Sequence, residues 1–138
     1  MRIRKNSTRL GIAAAVSAFA IAMSGGTAQA STTAPTIGDG YANNGNAVWC
    51  IQHSLNWARN IHQIPWEPTW PEIAEDGKWG PSTKAAVVAF QRNYDWMVTP
   101  DGYVGPETGS VLLPLGEGYY NGTAAKPGYC YQYIPTKA

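Results

Sequence analysis

Two cysteines, two histidines and nine carboxylates are the side chains in this 138-residue chain that could act as nucleophile, metal ligand or acid–base pair. Cys50 and Cys130 lie in no Cys-x-x-Cys pair, and neither His53 nor His62 stands at ligand spacing from them, so a zinc site is not indicated. Asp76 and Asp101 could form a carboxylate pair, but general acid–base work needs two carboxyls facing one bond with tuned pKa values. Each is followed by glycine in the same local frame, and the simpler reading is that each supports its own turn and the helix after it. Glu67, Glu72 and Glu75 fall in a proline-rich stretch with no pattern that would give them a substrate. There is no H-E-x-x-H and no G-x-S-x-G. The expectation is therefore a protein without metal, cofactor or catalytic activity.

What remains is binding chemistry. Fifteen of the sixteen Trp, Tyr and Phe lie after residue 30, too many for so short a chain to bury completely. Residues 1–30 explain the boundary. Arg2, Arg4, Lys5 and Arg9 precede an apolar run from Leu10 to Met23, and small residues end at Ala28-Gln29-Ala30. Basic head, short apolar core and an A-x-A end read as a secretory signal peptide. The run is too short to span a bilayer comfortably. Cleavage after Ala30 leaves six Lys and Arg against nine Asp and Glu, a net charge of about −3. A mildly acidic chain with scattered bases is a poor polyanion binder, which argues against nucleic acid and against electrostatic membrane docking. An exported product with an even cysteine count reads as holding a Cys50–Cys130 disulfide. Closing 80 residues of chain is worth roughly 4–5 kcal/mol in the chain-entropy view.

Stepping along the exported part, residues 31–45 are polar and read as a flexible lead-in. From Asn46, a plausible N-cap, Val48, Ile51, Leu55 and Ala58 recur on one helical face to about Asn60. Cys50 and Trp57 sit on the opposite side of that helix, so a tail tethered at Cys50 is expected to cross it and cover Trp57. Residues 61–75 contain Pro65, Pro68 and Pro71 and read as an ordered loop holding Trp66 and Trp70. A second helix starts at Pro81 and is apolar most of the way round, with Thr83, Ala86, Val87 and Phe90 on one face. That makes it the central one. In the tail, 114–138, Tyr129, Tyr131 and Tyr133 alternate with Cys130, Gln132 and Ile134, which predicts an extended strand. The tyrosine stripe is either a stacking platform or a lid. Asn121-Gly122-Thr123 fits a glycosylation sequon.

The chain repeats itself. Asp76, Gly77, Gly80, Pro81 and Thr83 return 25 residues later as Asp101, Gly102, Gly105, Pro106 and Thr108. The unit is a tight Asp-Gly turn, a second glycine and a proline-started helix, the second helix ending by Leu113. This doubled D-G-x-x-G-P-x-T resembles the type-1 peptidoglycan-binding domain family. Ile51-Gln52…Leu55 is similar to the family's first helix, and Ala86, Val87, Phe90 and Gln91 fall in register in its second. The resemblance runs from about Val48 to Leu113. Three departures stand beside it: a longer Pro/Trp loop at 61–75, about two extra residues between Asn93 and Pro100 with Asp95 and Trp96 at altered positions, and the added tyrosine tail.

The resemblance implies an all-α domain at 46–113, a small three-helix bundle built on a pseudo-repeat; the extended disulfide-tethered tail expected at 114–138 is read from the residues themselves. The resemblance also implies attachment to bacterial peptidoglycan after export, with the protein secreted and associated with the cell wall. Sugar faces stack on aromatic rings and stem peptides want amide and guanidinium partners. The expected ligand-binding residues are Gln52, Gln91, Arg92, Asn93, Tyr94, Trp96 and Tyr103. Trp96 reads first as core and second as contact. Tyr103 and Lys78, at the first x of each turn, should face out, and Trp79 and Val104, at the second x, should be core. The other reading is a secreted protein–protein module, an inhibitor or accessory factor of an exported enzyme, with the Trp66/Trp70 loop and the tail as its interface. A minimal wall hydrolase is the weakest, for want of a catalytic set.

Overall fold

A computed structural model describes residues 33–61, 70–94 and 96–138. The expected signal peptide, and Trp66, His62, Glu67 and Asp95, lie outside them. The described residues fold into helices and turns with only isolated β-bridges: α1 Gly45–Asn60, α2 Pro81–Asn93, α3 Pro106–Leu115, a one-turn α4 Gly118–Asn121 and a 3-10 turn Tyr129–Gln132.

α1 begins one residue before the expected start. Asn44 is its cap, and the Asn44 side chain accepts the Asn46 backbone N–H at 2.8 Å. Asn46, the expected cap, is already inside the helix. Val48, Ile51, Leu55 and Ala58 are all buried, as their spacing requires. α2 and α3 each start with proline after an extended glycine. Proline there removes an N–H that has no helical partner and presets φ.

The central helix is α1, not α2. α1 packs against α2, α3 and the 3-10 turn. The apolar character of α2 misleads: Ala85 is exposed and Val88 and Ala89 are half-buried. The difference lies in the tail, which covers a second side of α1 and leaves α2 with one covered face. Two clusters result. The larger joins Val48, Ile51 and Leu55 to Trp70, Val87, Phe90, Val104 and Leu112. The smaller gathers Cys50, Leu113, Cys130, Tyr131 and Ile134 around the disulfide.

The Cys50–Cys130 disulfide is present, with Cα atoms 5.4 Å apart. The tail it holds is not a strand. Residues 129–132 turn as a 3-10 helix, and the three tyrosines do not share a side: Tyr131 is buried, Tyr133 half-buried and Tyr129 exposed. A strand in this place would leave its backbone unpaired, whereas the 3-10 turn closes its own bonds, with Tyr133 N–H donating to the Cys130 carbonyl at 3.0 Å. The tail also leaves Trp57 37% exposed rather than covered. Asn121 is buried and its amide donates to the Leu113 carbonyl at 2.8 Å, so the sequon asparagine is a structural link between α3 and α4.

Nor is the described part of the lead-in loose. Ile37 is fully buried and exchanges both backbone hydrogen bonds with Val104, at 3.1 and 2.9 Å. Asp39 accepts from Lys84 Nζ at 2.6 Å and from the Trp79 indole at 2.9 Å. Lys84 and the indole hold the Asp39 carboxyl below its usual range. One apolar residue in a polar run is enough to anchor the segment.

Candidate functional site

The repeat in sequence is a repeat in hydrogen bonding. Gln52 of α1 donates through Nε2 to Asp76 Oδ1 (3.1 Å), the Lys78 carbonyl (3.1 Å) and Thr83 Oγ1 (3.0 Å), and its Oε1 accepts the Gly77 N–H (2.9 Å). Gln91 of α2 does the same in the second copy, donating to Asp101 Oδ1 (3.0 Å), the Tyr103 carbonyl (2.8 Å) and Thr108 Oγ1 (3.0 Å), and accepting the Gly102 N–H (2.8 Å). Each aspartate also accepts the N–H two residues on, from Lys78 at 3.0 Å and Tyr103 at 2.9 Å. Both turns need a left-handed residue, supplied by Gly77 at φ 69° and Gly102 at φ 79°. The Lys78 N–H and the Gln52 amide lower the pKa of Asp76.

Gln52 and Gln91 were expected to face a ligand. They are 1% and 0% exposed, and their amides are consumed by the two turns. Both hydrogens of each amide are spent on the turn, on a carboxylate, a carbonyl and a hydroxyl, which leaves none to donate to a ligand. Asp76 and Asp101 likewise serve their own turns, each bonded to its own glutamine.

Outside each staple lies a groove, and the two grooves are lined by equivalent positions of the repeat. The first, about 330 Å³, is bounded by Glu72, Asp76, Lys78, Trp79, Pro81 and Ser82. The second, about 260 Å³, is bounded by Tyr41, Asp101, Tyr103, Pro106 and Glu107, with Thr36 from the lead-in. Lys78 is exposed and Val104 buried as expected, while Trp79 is only half-buried and sends its indole N–H to Asp39. Tyr103 is half-buried and meets Tyr41 edge-on at 5.7 Å.

The remaining expected contacts gather after Gln91, at the C-terminal end of α2. Arg92 is exposed. Asn93 carries a buried Nδ2 with no partner. Tyr94 leans on Phe90 with ring centroids 5.0 Å apart, and burial raises its pKa. Trp96 is 76% exposed beside half-exposed Met97, so its first reading as core does not hold. Trp70, expected in an ordered loop and offered as part of an interface, is core, edge-on to Phe90 at 6.1 Å.

His53 stacks on Trp49, with ring centroids 4.9 Å apart and planes 6° from parallel. Its ring nitrogens each lie 2.9 Å from a carboxylate, Nδ1 from Glu75 and Nε2 from Glu117. Sequence reasoning missed this arrangement, because Glu117 arrives from 64 residues away with no local signal. Among the described residues no group of three or more His, Cys, Asp or Glu is disposed to hold a metal ion. No helix among them is long and apolar enough to cross a membrane.

The family model described as "Putative peptidoglycan binding domain" matches residues 45–112. No curated protein and no solved structure matches the chain significantly. The matched stretch starts with α1, contains both glutamine staples and both Asp-Gly turns, and ends inside α3. Residues 45–112 of the chain thus match the peptidoglycan-binding domain family.

Proposed function

We propose that this protein is a secreted, non-catalytic module that holds bacterial cell-wall peptidoglycan. The observation that carries the reading is the pair of equivalent grooves built on stapled turns within the family-matched stretch. Their rims mix carboxylate, ammonium and aromatic groups: Glu72, Asp76, Lys78 and Trp79 at one, Asp101, Glu107, Tyr41 and Tyr103 at the other. Such rims suit the amides, amines and carboxylates of stem peptides. Arg92 and Asn93 in the last turn of α2, with Tyr94 and Trp96 after it, extend the surface, while Gln52 and Gln91 act from beneath by shaping the turns. Several weak contacts along a polymer suffice for retention.

The test is co-sedimentation of the disulfide-bonded protein with purified insoluble peptidoglycan. Retention that soluble muropeptides compete away supports the reading, and retention should weaken in Tyr103→Ala and Trp96→Ala. Absence of retention would defeat it. The pairing of exposed Trp96 with Met97 favours a second reading, a protein-binding module. In that case a defined exported protein would be bound instead, and Trp96→Ala would abolish that complex. Release of soluble fragments from the wall would show catalysis and defeat both.

A further inference from the structure

The tail adds a third concavity, two of whose four lining residues, Tyr120 and Tyr129, lie beyond the family match. The disulfide sets the tail against α1, and aromatic rings collect beside it. Tyr120 meets Trp49 and His53 edge-on at 5.2 and 4.8 Å. Tyr129 meets Trp49 at 6.4 Å and Tyr133 at 5.1 Å. Asn46 Nδ2 donates to the Tyr133 hydroxyl at 3.4 Å. Between them Asn46, Trp49, Tyr120 and Tyr129 line an open cavity of about 320 Å³, within the size range of small-ligand sites.

The cavity is held in shape from below. His53, stacked under Trp49, is fixed on both nitrogens by Glu75 and Glu117. Cys50 anchors the adjoining turn of α1 to the tail. On the open side, Tyr129 is 46% exposed and half-buried Trp49 borders the cavity.

Its chemistry differs from that of the turn grooves. No charged side chain lines it, whereas both turn grooves carry carboxylates and one carries a lysine. Glu75 and Glu117, which flank His53, are engaged by its ring nitrogens. Aromatic walls with phenol hydroxyls and one amide at the rim match a neutral ring that has apolar C–H faces and a hydroxyl or acetamido edge. The faces pack on the rings, and the edge bonds Asn46 and the tyrosine hydroxyls.

We propose that this pocket is a second binding site, separate from the turn grooves, and that it takes a neutral N-acetylated sugar unit of a glycan strand. The choice of glycan rests on the wall-binding reading, while the existence of the site rests on the tail geometry. The two sites would then divide one polymer between them, peptide at the turns and sugar at the tail, so that each raises the other's effective concentration.

The experiment titrates the disulfide-bonded protein with the N-acetylglucosamine tetramer and follows the indole N–H of Trp49 by NMR. The expected result is a saturable shift of that resonance. Tyr129→Ala should weaken affinity about tenfold or more. Tyr129→Phe, which keeps the ring, should retain most of it. Asn46→Ala, at the exposed start of α1, is a second variant that leaves the aromatic cluster in place and should also weaken binding. A Trp49 signal that does not move, in a protein that still sediments with peptidoglycan, overturns this site and leaves the wall reading intact. A shift without sedimentation keeps the site and overturns the wall reading. Failure of both removes both. A shift undiminished in Tyr129→Ala and Asn46→Ala places the sugar elsewhere and overturns the proposal.

Discussion

Replacing Gln91 by leucine tests the staple directly. Leucine is similar in size, so packing changes little, and the loss is almost wholly polar. In the native protein two Nε2 hydrogens serve three acceptors, Asp101 Oδ1, the Tyr103 carbonyl and Thr108 Oγ1, while Oε1 takes the Gly102 N–H at 2.8 Å. After Gln91→Leu the buried Gly102 N–H and the Tyr103 carbonyl have no partner. Asp101 keeps the Tyr103 N–H at 2.9 Å, and the Thr108 hydroxyl can rotate. Each orphaned buried group costs about 1–3 kcal/mol, so the sum is roughly 2–6 kcal/mol. That is a large share of the few to about fifteen kcal/mol that a domain possesses. Urea unfolding with the disulfide intact measures it as a lower midpoint at unchanged slope. Gln91→Glu keeps the acceptor for Gly102 but sets a carboxylate against Asp101 and a carbonyl, so it should be as damaging at neutral pH. A loss under about 0.5 kcal/mol for Gln91→Leu, the range of ordinary surface changes, would refute the idea that the amide organises the turn. So would a crystal structure of the variant with the second groove unchanged.

Other outcomes follow from the same geometry. Replacing both Cys50 and Cys130 by alanine should cost roughly 4–5 kcal/mol in the chain-entropy view, read by calorimetry on the oxidised and mutant proteins. Asp76 has a folded pKa below its ordinary 3.8. Its contribution is therefore complete above that value and is lost as pH falls through the lower folded pKa. Unfolding monitored across pH 5 to 2 should show this acid loss, and Asp76→Asn should flatten it. A Cβ at Gly109 would run into the Pro135 carbonyl oxygen, which is backbone. Gly109→Ala should accordingly cost about 1–3 kcal/mol and loosen the tail, seen as faster amide exchange at Ile134. Trp96→Ala, at an exposed position, should leave thermal stability within about 0.5 kcal/mol of the parent, which a melting curve decides, while reducing retention on peptidoglycan.

The Asp-Gly turns and the starts of α2 and α3 were legible because their causes are local. Asp-Gly, Gly-Pro and a threonine two residues on determine backbone shape within eight positions, and the second copy confirms the first. The core face of α1 was legible because Val48, Ile51, Leu55 and Ala58 follow one helical period. What stayed hidden depends on partners distant in sequence. Gln52 and Gln91 have the composition of ligand-binding amides, and only the fold shows that Asp76 and Asp101 come back to meet them. The tyrosine alternation at 129–134 suits a strand, but six residues with one cysteine tether cannot distinguish a strand from a tight turn, and burial of Cys130 and Tyr131 together selected the turn. Ile37 was one apolar residue among polar ones, too little signal to show that it would reach the core. The aromatic pocket combines α1 with α4 and the tail, and no spacing in the sequence connects Trp49 to Tyr120 or Tyr129.

The two amide staples bridge unequal arcs of chain, 24 residues from Gln52 to Asp76 and 10 from Gln91 to Asp101, yet they finish in the same knot of bonds. Closing the longer arc rather than the shorter costs under about 1 kcal/mol of chain entropy, little beside what the knot returns. The longer arc is thus a place where evolution, or an engineer, can splice in new sequence, provided that buried Trp70 and Ile73 and the groove residue Glu72 keep their places. A foreign epitope inserted there should ride on an intact anchor.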